Sequence, residues 1–232
     1  MHMDRRQFVK NLGLGTASLS MGSLVTASSC APSGDSSLKQ NVKEGEDGQF
    51  LFIGDDIAIA QTEYGKVQGY LLNHVYTFLG VPYGADTSGK NRFMPPQKPE
   101  PWTDVRPAVF YGNTAPQRME NRWPNNYGTF ADHWNYWDVS EDCLYLNVWT
   151  PGIADGKKRP VLVWLHGGGF TNGSGIEQDG YHGENISREG DIVFCSINHR
   201  LGPIGFSDLS GVGGEAYKAV SYTHLTLPTI CS

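Results

Sequence analysis

The sequence predicts an α/β fold in which antiparallel N-terminal strands lead into a parallel sheet. Three observations carry that expectation. From Phe50 onward, FLFIGDDIAIAQTEYGKVQGYLLNHVYTFLGVPYG holds short apolar or alternating runs broken by glycine, the pattern of β-hairpins. Further on, RPVLVWLH (Arg159 to His166) and DIVFCSINHR (Asp191 to Arg200) are nearly continuous apolar runs, which mark strands buried on both faces beneath covering helices. Between those two runs lies a short helical stretch around Glu184 to Arg188. Strand, loop, helix, strand is how an α/β fold begins.

Composition narrows the function classes. The chain has 232 residues, 39% hydrophobic and 18% charged, which places it among soluble globular proteins. Its formal net charge of −6, with lysine and arginine scattered beyond the first ten residues, argues against a nucleic-acid surface. A small molecule is the expected partner. The four cysteines, Cys30, Cys143, Cys195 and Cys231, are too few and too unevenly spaced for a disulfide scaffold or a zinc site. Cys195, inside the second apolar run, reads as a small buried residue.

The elements follow in chain order. Residues 1–30 read as an export address: a basic patch, a weakly apolar run and an ending in small residues. The run from Leu12 to Ala27 is too short and polar for a membrane span, which needs about 20 predominantly apolar residues. In the patch, DRRQFVK (Asp4 to Lys10) resembles a twin-arginine signal, with Arg5 and Arg6 paired ahead of Phe8 and Lys10. ASSC (Ala27 to Cys30) resembles a lipobox that would lipidate Cys30, the only membrane attachment the sequence suggests. A non-lipid cut after Ala27 fits as well. Residues 31–49 are polar, hold glycine and serine, lack apolar periodicity, and read as a flexible tether.

Within the body, the proline-rich RFMPPQKPEPW (Arg92 to Trp102) cannot be helix and is expected to be extended. NRWPNNYGTFADHWNYWDVS (121–140) is dense in aromatics and poor in aliphatics, a loop with a sticky face. The first apolar run then ends in LHGGGF (165–170). Acyl transfer places negative charge on a former carbonyl oxygen, and preorganised backbone N–H groups stabilise it. Glycine lets the backbone turn and lets a ligand approach those groups, and α/β folds bind ligands at the C-terminal ends of their strands. Three glycines after a strand are also compatible with a plain turn.

Other stretches resolve that choice by resemblance. EDCLYLNVWTP (Glu141 to Pro151), HGGGF and NHRLGPIGF (Asn198 to Phe206) resemble successive signatures of the type-B carboxylesterases, the cholinesterase-like α/β-hydrolases. TEYGKVQGY, FLGVPYG and RFMPP are similar to the opening of the same family, so the resemblance runs from about Ile57 to Lys218. It implies the N-terminal portion of an α/β-hydrolase fold over residues 50–219, an ester as substrate and no cofactor. Gly168 and Gly169 would donate to the oxyanion, a third donor being the residue after the nucleophile, and His166 would shape the loop rather than act as base. Arg92 and Glu141 would form a structural ion pair. Arg200 would pair with an Asp further along that is not present in the chain. The partner expected for Cys143 in a disulfide is replaced by Ala115, in TAPQ, leaving Cys143 an unpaired thiol. Phe170, Trp134 and Trp137, with Trp123, Tyr127, Phe130 and Tyr136, would border the substrate gorge; each aromatic of the 121–140 loop could equally pack that loop onto the domain.

The family's nucleophile is expected in G-x-S-x-G, and no serine of the chain has glycine at both −2 and +2. Ser174 and Ser207 come nearest and read as turn residues. His74, His133, His182 and His199 do not match the family's late catalytic histidine. Val220 to Thr229 (VSYTHLTLPT) resembles a translated sequencing adapter, so 220–232, including Cys231, is expected to be a non-native tail on an incomplete domain. The expectation is therefore part of an exported serine carboxylesterase, itself inactive because it lacks nucleophile, acid and base. The alternative is a non-catalytic cholinesterase-like binding or adhesion domain.

Overall fold

The computed structural model describes residues 51–118 and 138–217. The Arg5–Arg6 patch, Cys30, the 31–49 tether, Trp123, Tyr127, Phe130, His133, Trp134, Tyr136, Trp137 and the tail from Val220 lie outside the described residues.

Among the described residues nine strands form in chain order: β1 (Leu51–Phe52), β2 (Ile59–Gln61), β3 (Lys66–Gln68), β4 (Tyr70–Leu72), β5 (Val75–Pro82), β6 (Arg106–Pro107), β7 (Tyr145–Thr150), β8 (Val161–Leu165) and β9 (Val193–Ile197). Among the described residues three short α-helices follow the same numbering: α1 (Glu184–Gly190), α2 (Gly202–Phe206) and α3 (Ser210–Gly213). A small sheet has the order β2-β3-β6, and the main sheet the order β1-β4-β5-β7-β9-β8. From β1 to β9 every pairing in the main sheet is antiparallel, and β8 joins β9 in parallel. Antiparallel strands thus lead into the start of a parallel sheet, as the sequence predicts.

The hairpins have local causes. β4 and β5 are joined by two residues, Asn73 and His74, with Leu72 opposite Val75. Both turn residues have positive φ, +48° and +65°, the backbone that matches the twist of a two-residue hairpin and that asparagine tolerates well. Asn73 also donates from its side chain to Glu184 Oε1 at 2.7 Å, pinning the turn to α1. The proline-rich 92–102 stretch contains no helix or strand and is held by single contacts such as Trp102 Nε1 donating to the Lys66 carbonyl at 2.8 Å.

β7, which the apolar pattern did not single out, lies at the centre of the sheet. It pairs β5 on one side and β9 on the other, with Val148 opposite Cys195 and Trp149 opposite Phe194. Alternate residues of the pair enter different clusters. Leu146, Val148, Cys195 and Ile197 pack with Val67, Phe78 and Val81 on one face; Trp149 and Phe194 pack with Val75 and Leu79 on the other. Burial of one such side chain contributes about 1.5–3 kcal/mol. At the same depth Asn147 donates to Ser196 Oγ at 3.1 Å and accepts from Gly80 N at 3.0 Å, whereas Trp149 Nε1 is buried without a hydrogen-bond partner among the described residues. From α1, Ser187 Oγ donates to the Trp149 carbonyl at 3.0 Å.

The first apolar run departs from expectation. All five residues of β9 are buried, but in β8 Val161 is 46% exposed, and Leu162, Trp164 and Leu165 are exposed as well. The reason is position. Among the described residues β8 pairs only with β9 and forms the edge of the sheet, so its apolar faces lack the covering layers that its composition anticipates.

Candidate active site at the glycine loop

The end of β8 delivers the chain directly into the glycine loop. Gly168 has φ +126°, and a Cβ there would overlap the Asn172 carbonyl, so no other residue fits. Its own carbonyl accepts from Thr171 N and Asn172 N, both at 3.2 Å, closing a tight turn. Gly169 and Phe170 follow at φ +62° and +64°. For phenylalanine that left-handed backbone is unusual and costs on the order of 1–3 kcal/mol unless its surroundings enforce it.

Those surroundings are specific. The Phe170 carbonyl accepts from Gly202 N at 2.7 Å. The Gln117 amide brackets Gly173, accepting from its N–H at 2.8 Å and donating to its carbonyl at 3.0 Å. Asn198 accepts from Gly175 N at 2.8 Å and donates to the Asn113 carbonyl at 3.0 Å. Tyr83 in turn donates its hydroxyl to the Asn198 carbonyl at 2.7 Å.

Within this frame the N–H groups of Gly167, Gly168 and Gly169 have no acceptor among the described residues. They belong to residues lining a cavity of about 240 Å³, with Asn172, His199 and Leu201 on its other walls. Among the described residues no carboxylate lines it. Burial pulls the His199 imidazole below its usual pKa, its hydrogen bond to the Arg200 carbonyl opposing the shift. Unpaired backbone donors around an uncharged cavity are suited to an anionic oxygen.

The remaining sequence-selected residues fall around this site in several ways. Phe170 lines the cavity and is 60% exposed. Arg92 Nε lies 2.7 Å from Glu141 Oε1, and Thr87 donates to the Glu141 carbonyl; with Arg92 half exposed, the ion pair itself is worth little. Cys143 is buried beside Ala115 and Leu201 and forms no disulfide. Burial pushes its thiol up to about 12, against the opposing charge of Arg200. Arg200 is buried, donates from Nη1 to the Met94 carbonyl at 2.8 Å, and forms no ion pair with a described carboxylate. Ser174 is buried in the turn after the loop, accepting from Ile176 N, and Ser207 caps the end of α2. His74 sits in the β4–β5 turn, while His182 meets Trp149 edge-on at 5.1 Å.

Sequence reading assigned no role to Gln117, Asn198, His199 or Phe206, although all four lie in or beside the quoted motifs. Their contacts with the loop cross long stretches of chain; the NHRLGPIGF match hinted at Asn198, His199 and Phe206, and TAPQ at Gln117.

Comparison with known proteins adds an independent line. The model of the carboxylesterase family matches residues 56–214. The chain is 45% identical over 157 residues to phenmedipham hydrolase of Pseudarthrobacter oxydans, covering 68% of this chain and 30% of that protein. It is 40% identical over 163 residues to para-nitrobenzyl esterase of Bacillus subtilis (strain 168), covering 69% and 31%. Among solved structures, an esterase from anaerobic Clostridium hathewayi, described as able to hydrolyse aliphatic aromatic polyesters, superposes with a TM-score of 0.64 at 39% identity over 73% of this chain and 32% of that one. The chain thus spans about a third of the length of these relatives.

Proposed function

The chain belongs to the carboxylesterase family, and on that premise we propose that it carries the oxyanion-binding part of a serine esterase whose nucleophile, acid and base lie outside these 232 residues. One observation supports this above the rest: the N–H groups of the glycine loop, at the C-terminal end of β8, have no acceptor, and the cavity beside them no carboxylate, among the described residues.

In the complete reaction a serine oxygen bonds to the carbonyl carbon of the ester while its proton passes to a histidine base. Charge gathers on the carbonyl oxygen, and Gly168 and Gly169 donate to it. Collapse breaks the bond to the alcohol, which leaves with the proton from the histidine, and water then releases the acid from the acyl-enzyme by the same steps. Phe170 would border the substrate, joined by Trp134 and Trp137. Arg92 and Glu141 would hold the neighbouring loop without entering the chemistry.

The 232-residue chain is accordingly expected to be silent toward short-chain aryl esters. Turnover by this chain that Ser174→Ala abolishes would sink the reading. Sequencing the locus past codon 219 supplies the second test. A G-x-S-x-G elbow downstream supports the esterase, whereas a replaced serine supports the non-catalytic adhesion domain. The Arg5–Arg6 patch supports export by the twin-arginine route, and Cys30 is the candidate lipid attachment. Export blocked in the Arg5→Lys, Arg6→Lys double variant, and lipid labelling lost in Cys30→Ser, are the outcomes expected.

A further inference from the structure

We propose that a chain of four rings, His166, His199, Phe206 and Phe170, positions the glycine loop, with His199 as its keystone. The His166 and His199 imidazoles stack 4.5 Å apart at 9°. His199 meets Phe206 edge-on at 6.2 Å and 86°, and Phe206 packs against Phe170 at 4.9 Å. The chain therefore starts on the residue that enters the loop, passes through the 199–206 segment and ends on the residue that leaves it.

Three consecutive glycines have more backbone freedom than any other tripeptide, and each residue held in one conformation loses about 1–2 kcal/mol of conformational entropy. The loop cannot be held by its own side chains, since Gly167, Gly168 and Gly169 have none. It is held from its flanks. His166 also packs on Gly173, where a Cβ would press into its ring, and its Nδ1 donates to the Gly167 carbonyl at 2.8 Å. On the far side Phe170 stays in its left-handed conformation because its carbonyl is tied to Gly202 N and its ring to Phe206. His199 couples the two flanks: its ring touches both His166 and Phe206. Its own orientation is set by Nδ1, 2.8 Å from the Arg200 carbonyl. These are positioning residues, and none is assigned contact with the reacting atoms.

The inference rests on reading Gly168 and Gly169 as oxyanion donors, but its test needs no turnover. Amide hydrogen exchange in the 232-residue chain reports the loop through Thr171, Asn172 and Gly202, whose N–H groups bond to the Gly168 and Phe170 carbonyls. His199→Ala is expected to speed exchange at these amides about tenfold, the loss of two ring contacts, while the β9 amides from Val193 to Ile197 stay unchanged. His199→Phe keeps a flat ring and should restore protection; His199→Leu fills the space without one and should not. Phe206→Leu should release Gly202 more than Thr171. Equal exchange in the Ala, Leu and Phe variants, or acceleration in β9 matching that in the loop, would overturn the proposal, and comparing Leu with Phe decides it even where Ala unfolds the chain. Protected loop amides together with an absent downstream serine would leave the ring clamp standing and defeat only the esterase reading.

Discussion

β8 and β9 are both predominantly apolar five-residue strands with opposite surroundings. VLVWL and VFCSI pair residue for residue, from Val161 opposite Val193 to Leu165 opposite Ile197. Yet β9 is buried at all five positions and β8 at none. An apolar run records what a strand requires from its neighbours; the neighbours themselves decide whether it is met. The buried strand organises the core, and the edge strand carries the glycine loop at its tip.

The strongest test of that contrast is at the centre. Ile197→Ala, at a fully buried site, is expected to cost about 2–5 kcal/mol in chemical denaturation. A cost below about 1 kcal/mol would mean that the β9 environment is not the core described.

A gain of similar size is expected on the buried side from Ala115→Cys. Ala115 packs in one cluster with Cys143, and a disulfide closing that loop contributes about 3 kcal/mol. Thiol titration under oxidising conditions should find both groups consumed and the melting temperature raised. After denaturation three reactive thiols, Cys30, Cys195 and Cys231, are expected to remain; five reactive thiols would contradict it.

A smaller effect separates the two regions by pH. Burial lowers the pKa of His199, and also that of His182, where Glu184 and Asp179 oppose it. As pH falls below about 6.5 the unfolded chain binds protons before the folded one, so stability should decline from there downward and be level just above it. His199→Phe should flatten part of that slope between about pH 5 and 7; an unchanged slope would remove His199 from the account.

The smallest change in stability belongs to the edge. Leu162→Lys, on exposed β8, should shift unfolding by no more than about 0.5 kcal/mol while reducing self-association, because charge on an open edge blocks strand addition. Light scattering against concentration measures it. A large loss of stability would show that β8 is covered after all.

The contrast also explains what was legible in the sequence. β8, α1 and β9 announced themselves through apolar runs and a helical stretch, because those signals are local. β7 did not, because Asn147 and Thr150 interrupt its pattern; both are buried, and Asn147 is satisfied by Ser196 and Gly80, partners far away in the chain. Arg159 shows the same limit. It bonds Asp155 at 2.7 Å and Asp191 at 2.7 Å, and only the fold brings the second of these to it. At the site, the glycines were visible as a motif, whereas the His166–His199 stack depends on β8 and β9 lying side by side.

β9 inserts between β7 and β8, so the order of strands in space differs from their order of synthesis. Val193 leaves the ribosome 32 residues after its partner Val161, since 193 − 161 = 32. At about 5–20 residues per second, β8 is a nascent apolar segment without a partner for roughly 2–6 s. During that interval its apolar side chains have no sheet to pack on, and the glycine loop gains the Phe206 ring as a neighbour of Phe170 only once translation has moved beyond that residue.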